Sequence, residues 1–304
     1  MENESLFLEQ MNVFGSEYNL VAYKDISQLT EKSYAHDKTD YCRFCGKDSD
    51  ETTFKKTSHI FPQFIGNKYA ISTYECDVCN EKFSRNIEND FANLMKPLHS
   101  VNGIKGVKKI PTYKKNGIRL STTNGCHFKM SGIEDETITK SGIKCKLETD
   151  DFIPIRIYKM LTKMALSIVD ENELEYFSKT IAWLMDETDS FYGIESFPLL
   201  ITQNKNNSDQ FNLSVLLAQK KINNEKKTTY VFKLYYGIFS FQIFIPLYSL
   251  DKIESMPNIE DFQFIPNTFE MESNSESSYR LIMECKENRK GHISIDLNID
   301  KIDD

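Results

Sequence analysis

Two short hooks of cysteine constrain this chain more than any other feature in it. Cys42 and Cys45 are separated by two residues, as are Cys76 and Cys79, and residues 46–75 lie between the hooks. A two-residue gap lets one tight turn present two sulfurs to the same point, and zinc favours four thiolates at the corners of a tetrahedron. The pairing therefore predicts a closed zinc site, structural in kind because four sulfurs leave no open position for chemistry. The stretch between the hooks is long enough for a hairpin. It also carries His59, whose neutral imidazole is suited to taking a proton near pH 7.

The surrounding pattern places these residues on elements. Thr52 to Ile60 and Tyr69 to Tyr74 have strand character, with a turn at Gly66 and Asn67 between them. After Cys79, Phe83, Ile87, Phe91 and Leu94 recur at helical spacing, and Pro97 is expected to end that helix. The order is strand, turn, strand, helix, with His59 at or just after the first strand. Residues 1–40 read as an N-terminal arm, 41–100 as the cysteine module, and 101–116 as a connector rich in Lys and Gly. Residues 117–304 read as an α+β accessory domain. Its expected parts are strands over 117–130 and 137–148, a helix hairpin over 153–187, and antiparallel strands from Phe197 onward.

Cys42, Cys45, His59, Ile60, Pro62, Gly66, Asn67, Cys76, Cys79, Asn80 and Phe83 together form a pattern that resembles the zinc-stapled HNH endonucleases, a branch of the His-Me finger (ββα-metal) nucleases. The resemblance covers under a fifth of the chain. It implies an α+β fold in which an N-terminal ββα-metal module with structural Zn²⁺ precedes a helix hairpin and an antiparallel sheet. It also implies that His59 is the general base, and that Asn80, at the start of the helix, holds a catalytic Mg²⁺ or Mn²⁺. Two positions depart from the family. Ser58 stands where an Asp or Glu often ligates the metal, and Tyr69 to Tyr74 lacks the middle Asn of the motif. Glu75, Glu88 and Asp90 are candidate substitutes for the acid, though each alone reads more simply as a solvated or capping carboxylate. Asn67 is a candidate for orienting the hairpin.

Charge bears on the substrate. The chain carries a formal charge of -8, which excludes a generally basic nucleic-acid coat. Residues 41–116 nonetheless hold thirteen Lys or Arg against eight Asp or Glu. Within them Lys55, Lys56, Lys68, Lys82 and Arg85 could grip phosphates without reading sequence, although any one lysine alone reads as a solvated side chain. DNA is the expected substrate, with RNA left open. No run is long and apolar enough for a membrane span, and the acidic N-terminus does not resemble a signal peptide, so the expected setting is the cytoplasm. Small nucleases with an appended domain resemble bacterial defence effectors. That likeness implies a regulatory protein, a ligand or a second copy acting through residues 117–304. The rival reading is a zinc-ribbon nucleic-acid-binding or regulatory protein without catalysis.

Overall fold

A computed structural model describes residues 11–36, 39–106, 108–123, 127–132, 138–139, 142–188, 196–204, 212–221, 230–237, 239–251, 265, 278–286 and 294–300. After a helical stretch at 11–17, the chain enters β1 (Tyr18–Asp25), β2 (Ser33–Tyr34), β3 (Ser58–His59) and β4 (Ala70–Ser72). Helix α1 (Asp77–Phe83) runs through a π-helical turn (Ser84–Glu88) into α2 (Asn89–Val101). Strands β5 (Tyr113–Lys115), β6 (Ile118–Thr123), β7 (His127–Ser131), β8 (Ile138–Thr139) and β9 (Gly142–Glu148) follow. Helix α3 (Pro154–Leu166), a 3₁₀ stretch (Glu171–Phe177) and α4 (Ser178–Met185) come next. The last strands are β10 (Ser196–Asn204), β11 (Leu213–Lys220), β12 (Tyr230–Tyr236), β13 (Phe239–Phe244), β14 (Ser278–Lys286) and β15 (Ser294–Asp300).

The protein is thus a mixed helix and sheet structure. Its largest sheet is antiparallel, in the order β1-β11-β12-β13-β10-β14, so the N-terminal arm supplies an edge strand. Three small sheets join β2-β4-β3, β5-β6-β7 and β15-β9-β8.

Helix α3 lies at the centre. Pro154 occupies its first turn, where a missing N–H costs nothing. Every residue from Ile157 to Leu166 is buried. The apolar stripe expected at Ile157, Leu161, Met164 and Ile168 is therefore part of a fully enclosed helix, which touches the π turn, α2 and strands β10, β12, β13 and β14. The expected hairpin partner divides into the 3₁₀ stretch, which carries Leu174 and Phe177, and α4. One hydrophobic cluster joins Phe44, Ile60, Phe83 and Phe91 of the cysteine module to Ile157, Leu161, Trp183, Phe241 and Ile243, across the boundary expected at 101–116. Tyr158 donates to the Phe244 carbonyl at 2.6 Å, and His99 on α2 is hydrogen-bonded to Tyr236 on β12.

Several expected elements differ in extent. The strand over Thr52 to Ile60 is reduced to Ser58–His59, because the amides of Lys55 and Lys56 bond to the Asp77 carboxylate instead of a neighbouring strand. The second strand is Ala70–Ser72. Pro97 does not end the helix: α2 continues to Val101, since a proline inside it removes only one backbone bond and the helix is packed on the core along Phe91, Leu94 and Met95. The strands over 117–130 and 137–148 are each broken into shorter strands, with β5 inside the expected connector. Residues 301–304 lie outside the described residues, as do 272–277 of the polar loop expected over 272–278, whose last residue, Ser278, instead begins β14; the side chains of Cys126, His127, Cys145, Cys285 and His292 also lie outside them.

Candidate functional site

The cysteine hooks close on one another. Cys42 is followed by a turn in which Gly46, at φ 72°, donates to the Cys42 carbonyl at 2.8 Å. This left-handed geometry favours glycine. Cys76 caps α1: its sulfur accepts from the Cys79 amide at 3.5 Å, while its own amide donates to Cys42 Sγ at 3.4 Å. All four sulfurs lie within 4.8 Å of one another, and Cys45 Sγ is 3.8 Å from Cys76 Sγ. A tetrahedron with metal–sulfur bonds of about 2.3 Å has edges of about 3.8 Å, so the spacing fits zinc. Electrostatics point the same way. A hydrogen bond from Cys79 draws the Cys42 thiol down to about 4, whereas burial pushes Cys45 up to about 11 and donation to Cys42 raises Cys79. The bare cluster favours a thiolate at Cys42 and resists one at Cys45 and Cys79, which a bound cation would offset.

The hooks are fastened to the rest of the protein. Arg43, between the first two cysteines, donates to the Leu166 and Val169 carbonyls and to Glu171, and it stacks on the Tyr74 ring at 4.7 Å. Tyr74 donates to the Ser167 carbonyl. Both contacts meet the C-terminal end of α3, whose free carbonyls attract donors and positive charge. Asn67 closes the hairpin between β3 and β4. Its amide donates to the carbonyls of Phe61 and Ala70, and its oxygen accepts from the amides of Tyr69 and Ala70. Gly66 turns the chain there at φ 99°.

Beside the knot lies a cavity of ≈ 400 Å³. His59 from β3, Asn80 from α1, and the carboxylates Glu75 and Glu88 line it. His59 is half-buried, and its Nε2 lies 3.0 Å from Gln63 Nε2. An amide nitrogen only donates, so this contact suits a neutral ring accepting at Nε2. Burial first, and then the nearby Lys163 ammonium, lower the proton affinity of His59 below that of an ordinary histidine. Ser58 does not face the cavity; it is buried, and its hydroxyl donates to the Glu75 carbonyl.

The candidate acids separate. Asp90 accepts from the Ile153 amide and pairs with Arg156 at 3.2 Å, which fixes α2 to the start of α3. Glu75 is fully buried, with Lys163 Nζ 2.8 Å from its Oε2 and, among the described residues, no hydrogen-bond partner for its Oε1. Burial raises the proton affinity of Glu75 and of Glu88, and Lys163 opposes both shifts. An orphaned carboxylate oxygen in the same cavity as the Asn80 amide fits a hard divalent cation that keeps several waters. Among the described residues, however, no second group of three His, Cys, Asp or Glu ligands converges as the cysteines do.

The basic residues are partly committed. Lys56 and Arg85 both pair with Glu81 at the cavity rim. Lys82 donates to the Met185 carbonyl at 2.6 Å and pairs with Glu187, while Lys55 and Lys68 are exposed.

Met160 and Lys163 of α3 also line the cavity, and sequence reasoning missed both. The one available signal was a lysine inside a run of apolar helical residues, which a one-faced helix would turn to solvent.

Comparison with family models matches residues 42–95 to the HNH endonucleases. No curated protein and no solved structure matches the chain. The four-cysteine cluster fits a zinc-stapled HNH module over that segment. Among the described residues no helix is long and apolar enough to cross a membrane.

Proposed function

From a segment that matches the HNH endonucleases, we propose that this protein is a metal-dependent endonuclease that hydrolyses phosphodiester bonds in DNA. The observation that supports it most is the meeting of an uncharged, half-buried His59 with Asn80 and two carboxylates in one cavity beside the zinc knot. His59 takes a proton from water while the water oxygen bonds to phosphorus. The ester P–O bond then breaks, and the leaving oxygen gains a proton from solvent. Asn80, with Glu75 or Glu88, would hold Mg²⁺ or Mn²⁺, which neutralises charge on the phosphate when bound. Lys56 and Arg85 line the cavity, and together with Lys55, Lys68 and Lys82 they would hold the phosphate backbone. Residues 117–304 would receive a regulatory protein, ligand or second copy, in the manner of a cytoplasmic defence effector.

A supercoiled-plasmid assay tests the reading. Cutting should require Mg²⁺ or Mn²⁺ and should disappear in His59→Ala at unchanged zinc content; equal cutting by that variant rejects the base assignment. RNA run in parallel fixes the polymer. One observation favours a second reading, a non-catalytic zinc-ribbon protein: the acid position holds Ser58, turned inward. Wild-type protein that binds DNA but cuts nothing under any divalent ion would select it.

A further inference from the structure

We propose that Lys163, on α3 and outside residues 42–95, is a positioning residue of the nuclease site, with Glu75 as its buried counter-ion. The proposal rests on the endonuclease reading above. Lys163 Nζ donates to the main-chain carbonyl of His59 at 3.0 Å and lies 2.8 Å from Glu75 Oε2. One ammonium thus ties the proposed base, the residue directly before Cys76, and the central helix of the protein.

The need for such a tie follows from β3. That strand is two residues long, pairing Ser58 with Ser72 and His59 with Ile71, and His59 is its last residue. So short a ladder holds an imidazole loosely, and the donor that fixes the His59 carbonyl comes from a helix 104 positions away. Packing alone gives no reason for a charge there. The Lys163 and Glu75 side chains are 4% and 1% exposed, and the Phe44 and Phe83 rings lie 5.8 Å from Nζ. An apolar residue would fill this space without the desolvation that two buried charges incur. The pair therefore sets direction: it places the His59 backbone relative to the cavity and makes the site depend on α3.

Two readouts on the full-length protein test this. Lys163→Met alone leaves the Glu75 carboxylate buried and unpaired, so the informative protein is Lys163→Met/Glu75→Gln, which removes both charges. With zinc content and melting temperature like wild type, its kcat for plasmid nicking should fall about 100-fold below that of Glu75→Gln alone, which lacks the same carboxylate but keeps the Lys163 bond to the His59 carbonyl; that is the usual effect of a 1 Å misplacement, with KM changed less than threefold. In histidine-labelled protein the His59 ring resonance should shift while that of His99 stays. A folded double variant with the kcat of Glu75→Gln and an unmoved His59 resonance overturns the proposal. If wild-type protein cuts no nucleic acid, the nuclease reading fails by itself, and the His59 resonance still decides whether Lys163 positions the ring.

Discussion

Arg43 Nη1 donates to the Leu166 carbonyl at 2.8 Å, so a residue inside the first cysteine hook caps the last turn of the central helix. The same guanidinium reaches Val169 and Glu171. The four-cysteine knot and the helical core are thereby one mechanical unit. Replacing Arg43 by Met strips donors from two buried carbonyls, and Arg43→Met should cost about 2–4 kcal/mol. Chemical denaturation checks the loss, and elemental analysis should show zinc retained, since no ligand is touched.

Zinc itself should carry much of the stability of this region. Mass spectrometry under native conditions should find about one zinc per chain. Cys76→Ser removes both a ligand and the cap of α1, and should lose the metal and most of the cooperative melting transition. Structural zinc contributes roughly 10 kcal/mol in small domains. A Cys76→Ser protein that melts like wild type would contradict the closed tetrahedral site.

Cutting should depend on pH through His59. The proposed reaction uses the neutral ring, and burial together with Lys163 lowers its proton affinity. Activity should therefore rise with pH through an apparent pKa below the ordinary 6.5 and stay on a plateau at neutral pH. A kcat/KM profile from pH 4.5 to 8 measures it; a midpoint above 6.5 would mean that another group is the base.

Asn67 satisfies four backbone groups at the hairpin. Asn67→Ala takes a partner from all four, of which the Ala70 carbonyl keeps the Ile60 amide, and about 3 kcal/mol of destabilisation is expected. Asn67→Asp should be nearly as harmful, because a carboxylate cannot donate to the Phe61 and Ala70 carbonyls. Thermal melts of the two variants settle the comparison.

His99 should make the fold acid-sensitive. It is 4% exposed, and burial brings its pKa down to about 4 against 6.5 in the unfolded chain. A depressed pKa means that the unfolded state binds the proton first. The contribution is fully present above pH 6.5, falls away between 6.5 and about 4, and is flat below, for a loss on the order of 3 kcal/mol. The slope of unfolding free energy against pH in that window should be smaller in His99→Gln than in wild type.

The four-cysteine cluster was legible because its information is local. Two residues between cysteines set a turn, and two such turns define four sulfurs. The succession of β3, β4 and α1 could be read for the same reason, as could the places of His59 and Asn80 on them. Strand lengths were not legible. Thr53, Lys55 and Lys56 have strand character, yet they bond to Asp77, whose availability depends on where α1 begins.

The sequence by itself determined the knot, the elements around it and which candidate residues lie on them, since spacing along a chain fixes what neighbours can share. Only the tertiary structure decided that α3 is enclosed on every side, and that Lys163 therefore points into the cavity beside the four cysteines instead of into water. Helical periodicity reports a polar face but not what is packed against it. A buried ammonium among apolar side chains persists only where a partner such as Glu75 compensates it, and that partner comes from the other end of the fold.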